Sequence, residues 1–544
     1  MILLGSLFIP AAIFSQSAVW QWSIDVKGGI DKRGPSKAFL WIPENCQRVR
    51  GVILAQHNME EISILENPIF RKAMTDLGFA EIWCAPPFDH LFRFTEGAAE
   101  TFNGMMRELA DVSGYDELNH APVIGLGHSA AASWPYYFAA WNPGRTLAAI
   151  SVSGQWPYFR NPVFAPDIWG DRNIDFVPCL ETMGEYEAAD TWSKEGLKER
   201  QEHPLMPLSM LACPAEGHFA ATNKKVEYIV LYIKKVVQYR LTNQVLPDGS
   251  IKLNPIDPTK TGWLVDKWRL NQMPKALAAA VGEYTGDPTE AFWFFDEELV
   301  KATEAYEAEY RGMKAQLLGY VQDGKVVRQK NTHLQVDLSF QPEQDGITFT
   351  LHGTFLDTVP GESPRPAIWT GLSTGSPIGH TNSTIPVSID KICGPFIKTG
   401  PETFEVRFDR TGMGKVGDRM ELCFAATHPG DNEYKPAVQQ AHMIIPTRIS
   451  EGADQTIIFP SISDQKVGKK TLKLKAKSSK GAKVYYYILA GPAEIEGDEI
   501  RFTTVPPRAK FPMRVTVVAW QYGRMTALKL KTAEPVERTF WFIK

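Results

Sequence analysis

Between Lys37 and Leu241 the chain alternates short, unbroken apolar runs with helical stretches. This alternation restricts the fold more than any other feature of its 544 residues. Lys37–Ile42, Val49–Gln56, Phe79–Ala85, Val123–Leu126, Leu147–Ser153, Phe176–Met183 and Pro207–Cys213 read as strands. Pro68–Leu77, Ala98–Ser113, Ala130–Trp141 and Lys224–Tyr239 read as helices between or after them. Such alternation specifies an α/β fold, a mostly parallel sheet flanked by helices. Runs without polar alternation suit strands buried on both faces.

Residues 243–262 carry Pro247-Asp248-Gly249, Pro255 and Pro258, which mark loops. Asp287-Pro288-Thr289-Glu290 then reads as a helix start, with Asp287 as N-cap, Pro288 first and Glu290 closing a capping box. That helix is expected to reach about Arg311. After Asp323-Gly324 the texture changes to alternating runs, Leu334–Phe340, Ile347–Phe355, Phe404–Phe408 and Met420–Ala425, as in a β-sandwich. A second such block begins near Gln455 and includes Thr471–Ala476, Lys483–Ile488 and Arg514–Trp520. The length fits about three domains. The expected division is 18–322 for the α/β part with a helical extension, then two all-β sandwich domains over 323–450 and 451–544.

Within the α/β part, Val123–Leu126 runs into Gly127-His128-Ser129-Ala130-Ala131, and a helical run follows at once. A serine between small residues at a strand-to-helix turn is the setting of a nucleophile elbow. The turn pushes the hydroxyl clear of the sheet and aims the first helical N–H groups at the same point. Ala131 stands where the second glycine of the G-x-S-x-G pattern belongs.

A serine hydroxyl needs a base to take its proton and a third group to orient that base. The base is expected to be His218, on a loop after the last strand of the series and directly behind Gly217. His128 and His203 are rivals. The acid is expected in Gly184-Glu185-Tyr186-Glu187. Position selects Glu187, with Glu185 close behind and Glu181 third. An oxyanion requires donors. One is expected from the N–H of Ala130 and the other from the loop after Val52–Gln56, at Asn58 or Met59; His57 lines a pocket or caps Glu60 in this reading.

These motifs occur in the order Ser, acid, His. On them, residues 37–241 resemble the α/β-hydrolase superfamily, especially exported bacterial esterases of the depolymerase and carbohydrate-esterase kind. The departures are Ala131 and Glu187. The resemblance implies a serine carboxylic-ester hydrolase: Ser129 attacks, His218 shuttles the proton, Glu187 holds the imidazole, and no metal or organic cofactor is required. It implies a small-molecule or carbohydrate ester as substrate. The last block resembles the immunoglobulin-like modules appended to secreted bacterial proteins.

Other readings remain open from sequence. Gly125-x-Gly127-x-x-Ala130 fits a dinucleotide fingerprint, but the next strand ends in Ser153-Gly154 without the acid that holds a ribose. A degenerate hydrolase that binds glycans, or a serine peptidase, would share the fold. Net charge is −4 without a basic stripe, which argues against nucleic acid as a partner. Trp134, Trp141, Trp156, Trp169 and Trp192 read as core packing, with an aromatic-lined cleft as the alternative. Six cysteines lack metal-ligand spacing; Cys393 and Cys423 fall in one β block, and whether they pair is left open by the sequence. The apolar stretch Ile2–Phe14, followed by Ser15-Gln16-Ser17, resembles a secretory signal without its basic start, so export to the periplasm or medium is expected. No apolar run is long enough to span a membrane. The oligomeric state has no signature in the sequence.

Overall fold

The computed structural model describes residues 19–29, 34–330, 332–414 and 418–544. The expected signal segment at 1–17 lies outside them.

Eight strands form one sheet: β1 (Trp22–Asp25), β2 (Lys37–Trp41), β3 (Gly51–Gln56), β4 (Phe79–Ala85), β5 (Val123–His128), β6 (Thr146–Val152), β7 (Cys179–Gly184) and β8 (Leu208–Cys213). Their order is β1-β2-β4-β3-β5-β6-β7-β8. β2 runs antiparallel to both β1 and β4, and every pair from β4 to β8 is parallel. This is the α/β-hydrolase arrangement. Strands β3 to β8 are buried at every position, which agrees with their mostly apolar sequences.

Helices α1 (Glu61–Leu65), α2 (Pro68–Leu77), α3 (Ala98–Ser113), α4 (Trp134–Trp141), α5 (Ala189–Glu202) and α6 (Asn223–Arg240) fill the connections. Local chemistry explains their ends. The Asn67 side chain accepts the N–H of Ile69 to start α2, and Gly78 closes it in the left-handed conformation. Thr222 accepts the N–H of Lys225 to start α6.

The helix expected from Asp287 to Arg311 is not continuous. Asp287 caps only the short 3-10 turn Pro288–Glu290. Ala291–Phe294 then forms a buried strand paired with Trp263–Asp266. The helix proper, α7 (Glu297–Ala308), begins at Asp296, whose side chain accepts the N–H of Leu299. The consecutive aromatics Phe292-Trp293-Phe294-Phe295 decide the matter, because all four are buried and flat aromatic side chains suit a pleated strand. The ring of Phe292 stacks on Trp156, 5.9 Å between centroids. Trp134, Trp156 and Trp169 are buried, and Trp141 and Trp192 pack against the same core, so these rings serve burial.

The rest of the chain is built of small, mostly antiparallel sheets. In one sandwich, a sheet of 336–338, 437–446, 419–428 and 388–393 faces a sheet of 348–350, 403–406 and 396–398. Phe349, Phe396, Phe404 and Phe424 pack between them. In the other, 465–466, 536–543, 513–520 and 485–490 face 471–473, 499–502 and 493–496. The second sandwich shares its core in two directions. Val515, Val517 and Phe540 belong to the core of the α/β part, whereas Trp520 and Tyr522 belong to that of the first sandwich. All six cysteines are buried free thiols. Cys393 and Cys423 face each other across neighbouring strands without a bond between them.

Phe292→Ala removes a ring stacked in the core and is expected to cost about 3–5 kcal/mol. A urea titration checks this; an unchanged midpoint would contradict a buried strand at 291–294.

Candidate active site

β5 ends at His128, and the chain turns through Ser129–Ala131 before α4. Ser129 has φ of +52°, a conformation that non-glycine residues rarely adopt. The glycines around it are dictated by distance. A Cβ on Gly127 would lie 2.0 Å from the carbonyl oxygen of Ala131, and one on Gly154 would lie 2.0 Å from the Cβ of Ala132. Ala131, standing where a glycine was expected, is buried in the turn. Ser129 is left half-buried and Ala130 exposed.

His218 sits on the loop after β8, and its Nε2 lies 2.8 Å from the Ser129 Oγ. Its Nδ1 lies 3.4 Å from Oε2 of Glu187, on the turn after β7. Gly184 makes that approach feasible, since a Cβ there would meet the carbonyl oxygens of Glu216 and Gly217 at 2.5 Å. Burial pushes the Glu187 carboxyl towards neutrality, but hydrogen bonds from His218 and His333 outweigh it and hold the group well below the usual carboxylate range. Burial lowers the His218 pKa below its ordinary value, against the pull of Glu187. The site therefore rests as a carboxylate beside a neutral imidazole. With Nδ1–H facing Glu187, the lone pair of Nε2 faces the serine.

The other acids are occupied elsewhere. Glu185 accepts the N–H of Ala215 at 2.9 Å and forms a fully buried ion pair with Lys435 of the first sandwich. Glu181 is buried in the sheet and accepts the N–H of Gly154 at 3.0 Å. His128 is buried too, and its Nε2–H donates to the carbonyl of His218 at 3.1 Å; burial drives its pKa well down. His203 stacks on Tyr158 at the end of α5. His57 packs edge-on against Trp83.

The expected donor at Asn58 needs correction. The N–H groups of Asn58 and Met59 donate to Oε2 of Glu61, at 3.0 and 2.9 Å, and the N–H of His57 donates to the carbonyl of Cys84. This loop is turned inward because Glu61 is buried and needs partners. The Asn58 side chain instead donates to the carbonyl of His128 at 3.0 Å and ties the loop to the elbow. Ala130, the other expected donor, directly follows Ser129 in the turn.

Two residues of the first sandwich reach the site without any signal in the sequence. His333 places Nδ1 3.2 and 3.3 Å from the two oxygens of Glu187, and its ring lies over that of His218 with centroids 3.9 Å apart and planes 22° apart. Arg365 donates to the carbonyl of Tyr186 and approaches Glu187 within 3.8 Å. Both sit in segments without a recognisable motif. Glu187, His218 and His333 bring potential metal-ligand atoms within 4.8 Å of one another.

No protein-family model matches the chain, and no curated protein matches it. Solved structures with some likeness include a dienelactone hydrolase from Anabaena variabilis ATCC 29413, with 14% identity, covering 40% of this chain and 96% of that one at TM-score 0.27. Others are the S-formylglutathione hydrolase FrmB from Staphylococcus aureus (11%, 40% and 97%, TM-score 0.29) and Est1E from Butyrivibrio proteoclasticus (15%, 40% and 97%, TM-score 0.25). Identities and TM-scores this low leave function to be argued from the site itself.

Lys435→Met strands the Glu185 carboxylate in a buried place and is expected to destabilise the protein by about 3–5 kcal/mol. The double change Lys435→Met with Glu185→Gln is expected to restore much of that. A double-mutant cycle in urea reads the coupling, and simple additivity would refute it.

Proposed function

We propose that the protein is a serine hydrolase that cleaves carboxylic esters through an acyl-enzyme. The observation that carries this reading is the 2.8 Å contact between Ser129 Oγ and a His218 backed by a buried carboxylate. His218 takes the serine proton on Nε2 as Oγ bonds to the ester carbonyl carbon. The negative carbonyl oxygen is met by the N–H of Ala130 at the head of the turn. The tetrahedral adduct collapses, the carbon–oxygen bond to the alcohol breaks, and His218 returns its proton to the departing oxygen. Water then repeats the sequence: it loses a proton to His218, attacks the acyl carbon, and releases the acid as Oγ recovers its proton. Glu187 orients the ring and offsets its positive charge at each stage.

Esters are preferred to peptides because the oxygen of an alcohol leaves more readily than an amide nitrogen. The half-buried serine and the exposed Ala130 favour substrates whose bulk stays outside the protein, such as esters borne on carbohydrate or polymer chains. The α/β part would act on such material after export, with the two sandwiches held against it.

Ser129→Ala is expected to lower kcat on p-nitrophenyl acetate by about 10⁴-fold or more and to abolish labelling by a fluorophosphonate probe. A variant that retains wild-type turnover would refute the assignment. The pH profile gives a second check. The base works as neutral imidazole, so a depressed pKa extends activity to lower pH. The acid limb of kcat/KM is expected to have its midpoint below about 6.5, the ordinary histidine value. A midpoint above that value would contradict the burial of His218.

A further inference from the structure

We infer that His333, carried by the first sandwich, is a positioning residue for acyl transfer, so that the α/β part does not hold a complete catalytic centre by itself. The inference rests on the serine-hydrolase reading and adds to it a residue outside the Ser-His-acid set.

Three observations carry it. The first is the geometry at Glu187. The carboxylate lies nearer to the Nδ1 of His333, at 3.2 Å, than to that of His218, at 3.4 Å. A glutamate has one more rotatable bond than the aspartate commoner at this place. A second donor, with Arg365 beyond it, removes the freedom that the longer side chain brings.

The second observation is the stack. A ring 3.9 Å over His218 restrains the plane of the base, which stands on a loop led by Gly217 and would otherwise swing.

The third is the backbone. His333 and Leu334 both have positive φ, +49° and +52°. Successive non-glycine residues in this region are strained, and persist where surrounding contacts over-determine them. Those contacts are present. Leu334 is buried, its carbonyl accepts from the Gln439 side chain at 2.7 Å, and the N–H of Lys330 donates to the carbonyl of Gln335 at 2.7 Å. The result holds out a side chain that is itself 35% exposed, so core filling does not explain its placement.

The test compares wild type, His333→Ala and His333→Asn, in the full chain. Asparagine offers an N–H near the position of Nδ1 without the ring. Each protein is measured for kcat and KM on p-nitrophenyl acetate, for the second-order rate of fluorophosphonate labelling, and for melting temperature. His333→Ala is expected to lower kcat and the labelling rate by about 10–100-fold, with KM and melting little changed. His333→Asn is expected to recover about tenfold of that loss. Wild-type rates in His333→Ala, a loss matched by a fall in melting, or no recovery in His333→Asn would each overturn the inference. If the wild type itself is neither labelled nor active, the serine-hydrolase reading fails and takes this one with it. If the wild type is labelled and His333→Ala is labelled equally fast, only the role of His333 falls.

Discussion

The site hangs on one buried charge. Glu187 is largely removed from water, its side chain 10% exposed, which by itself would raise its pKa. It stays ionised because the His333 imidazole hydrogen-bonds to it, that of His218 lies 3.4 Å away and a guanidinium lies beyond. Everything else follows from where that charge is held. In the proposed reading it selects the tautomer of His218 that turns the lone pair of Nε2 to Ser129. It also draws in His333 from another part of the chain. A neutral Glu187 would release both rings and leave the serine beside an imidazole without fixed orientation.

A second layer of buried polar groups lies behind the elbow. Glu61 accepts three backbone N–H groups, from Asn58, Met59 and His128, and so joins the loop after β3 to the strand that carries the serine. Burial raises its pKa to about 7 and that of neighbouring Glu60 to about 8. Glu216, two residues before the base, is paired with buried Lys225 at 2.9 Å and accepts from Tyr306 and Thr222. His128 fixes the carbonyl of His218 from below. In a low-dielectric interior each of these groups is costly unless its partners are in place, so the network tolerates few alternative arrangements of the two loops.

The sheet and the elbow were legible because their signals are local. β3 to β8 are mostly apolar runs, and Gly127-His128-Ser129 marks a turn that few other residues could make. The acid could be narrowed to the turn after β7, but Glu185 and Glu187 differ only in which way they face, and that is decided by Lys435, 250 residues further on. The strand at 437–446 was hidden by Gln439, Gln440 and His442, which break its apolar pattern. Two of those residues reach towards the site: Gln440 donates to the carbonyl of Phe219 beside the base, and Gln439 holds Leu334 beside His333. The residues that obscured the strand are the ones that connect it to the site. Asn58 was misjudged for a similar reason, since nothing in the sequence shows that Glu61 would turn inward and engage the N–H groups of that loop.

The first sandwich is therefore tied to the candidate site by directional polar contacts. A hydrophobic contact between modules would by itself permit sliding, because burial of apolar surface has no preferred direction. The buried pair of Glu185 and Lys435 does have one. Displaced from each other, the two charges would be left in the interior without compensation, and the penalty rises steeply with separation. Arg365 on the carbonyl of Tyr186 and Gln440 on that of Phe219 add directional contacts on either side of the pair. Together they fix the first sandwich against the very turns that bear Glu187 and His218. Fixing that register is what places the ring of His333 in contact with both. The docking of the sandwich and the geometry of the site are thus a single constraint, set by the same few polar contacts.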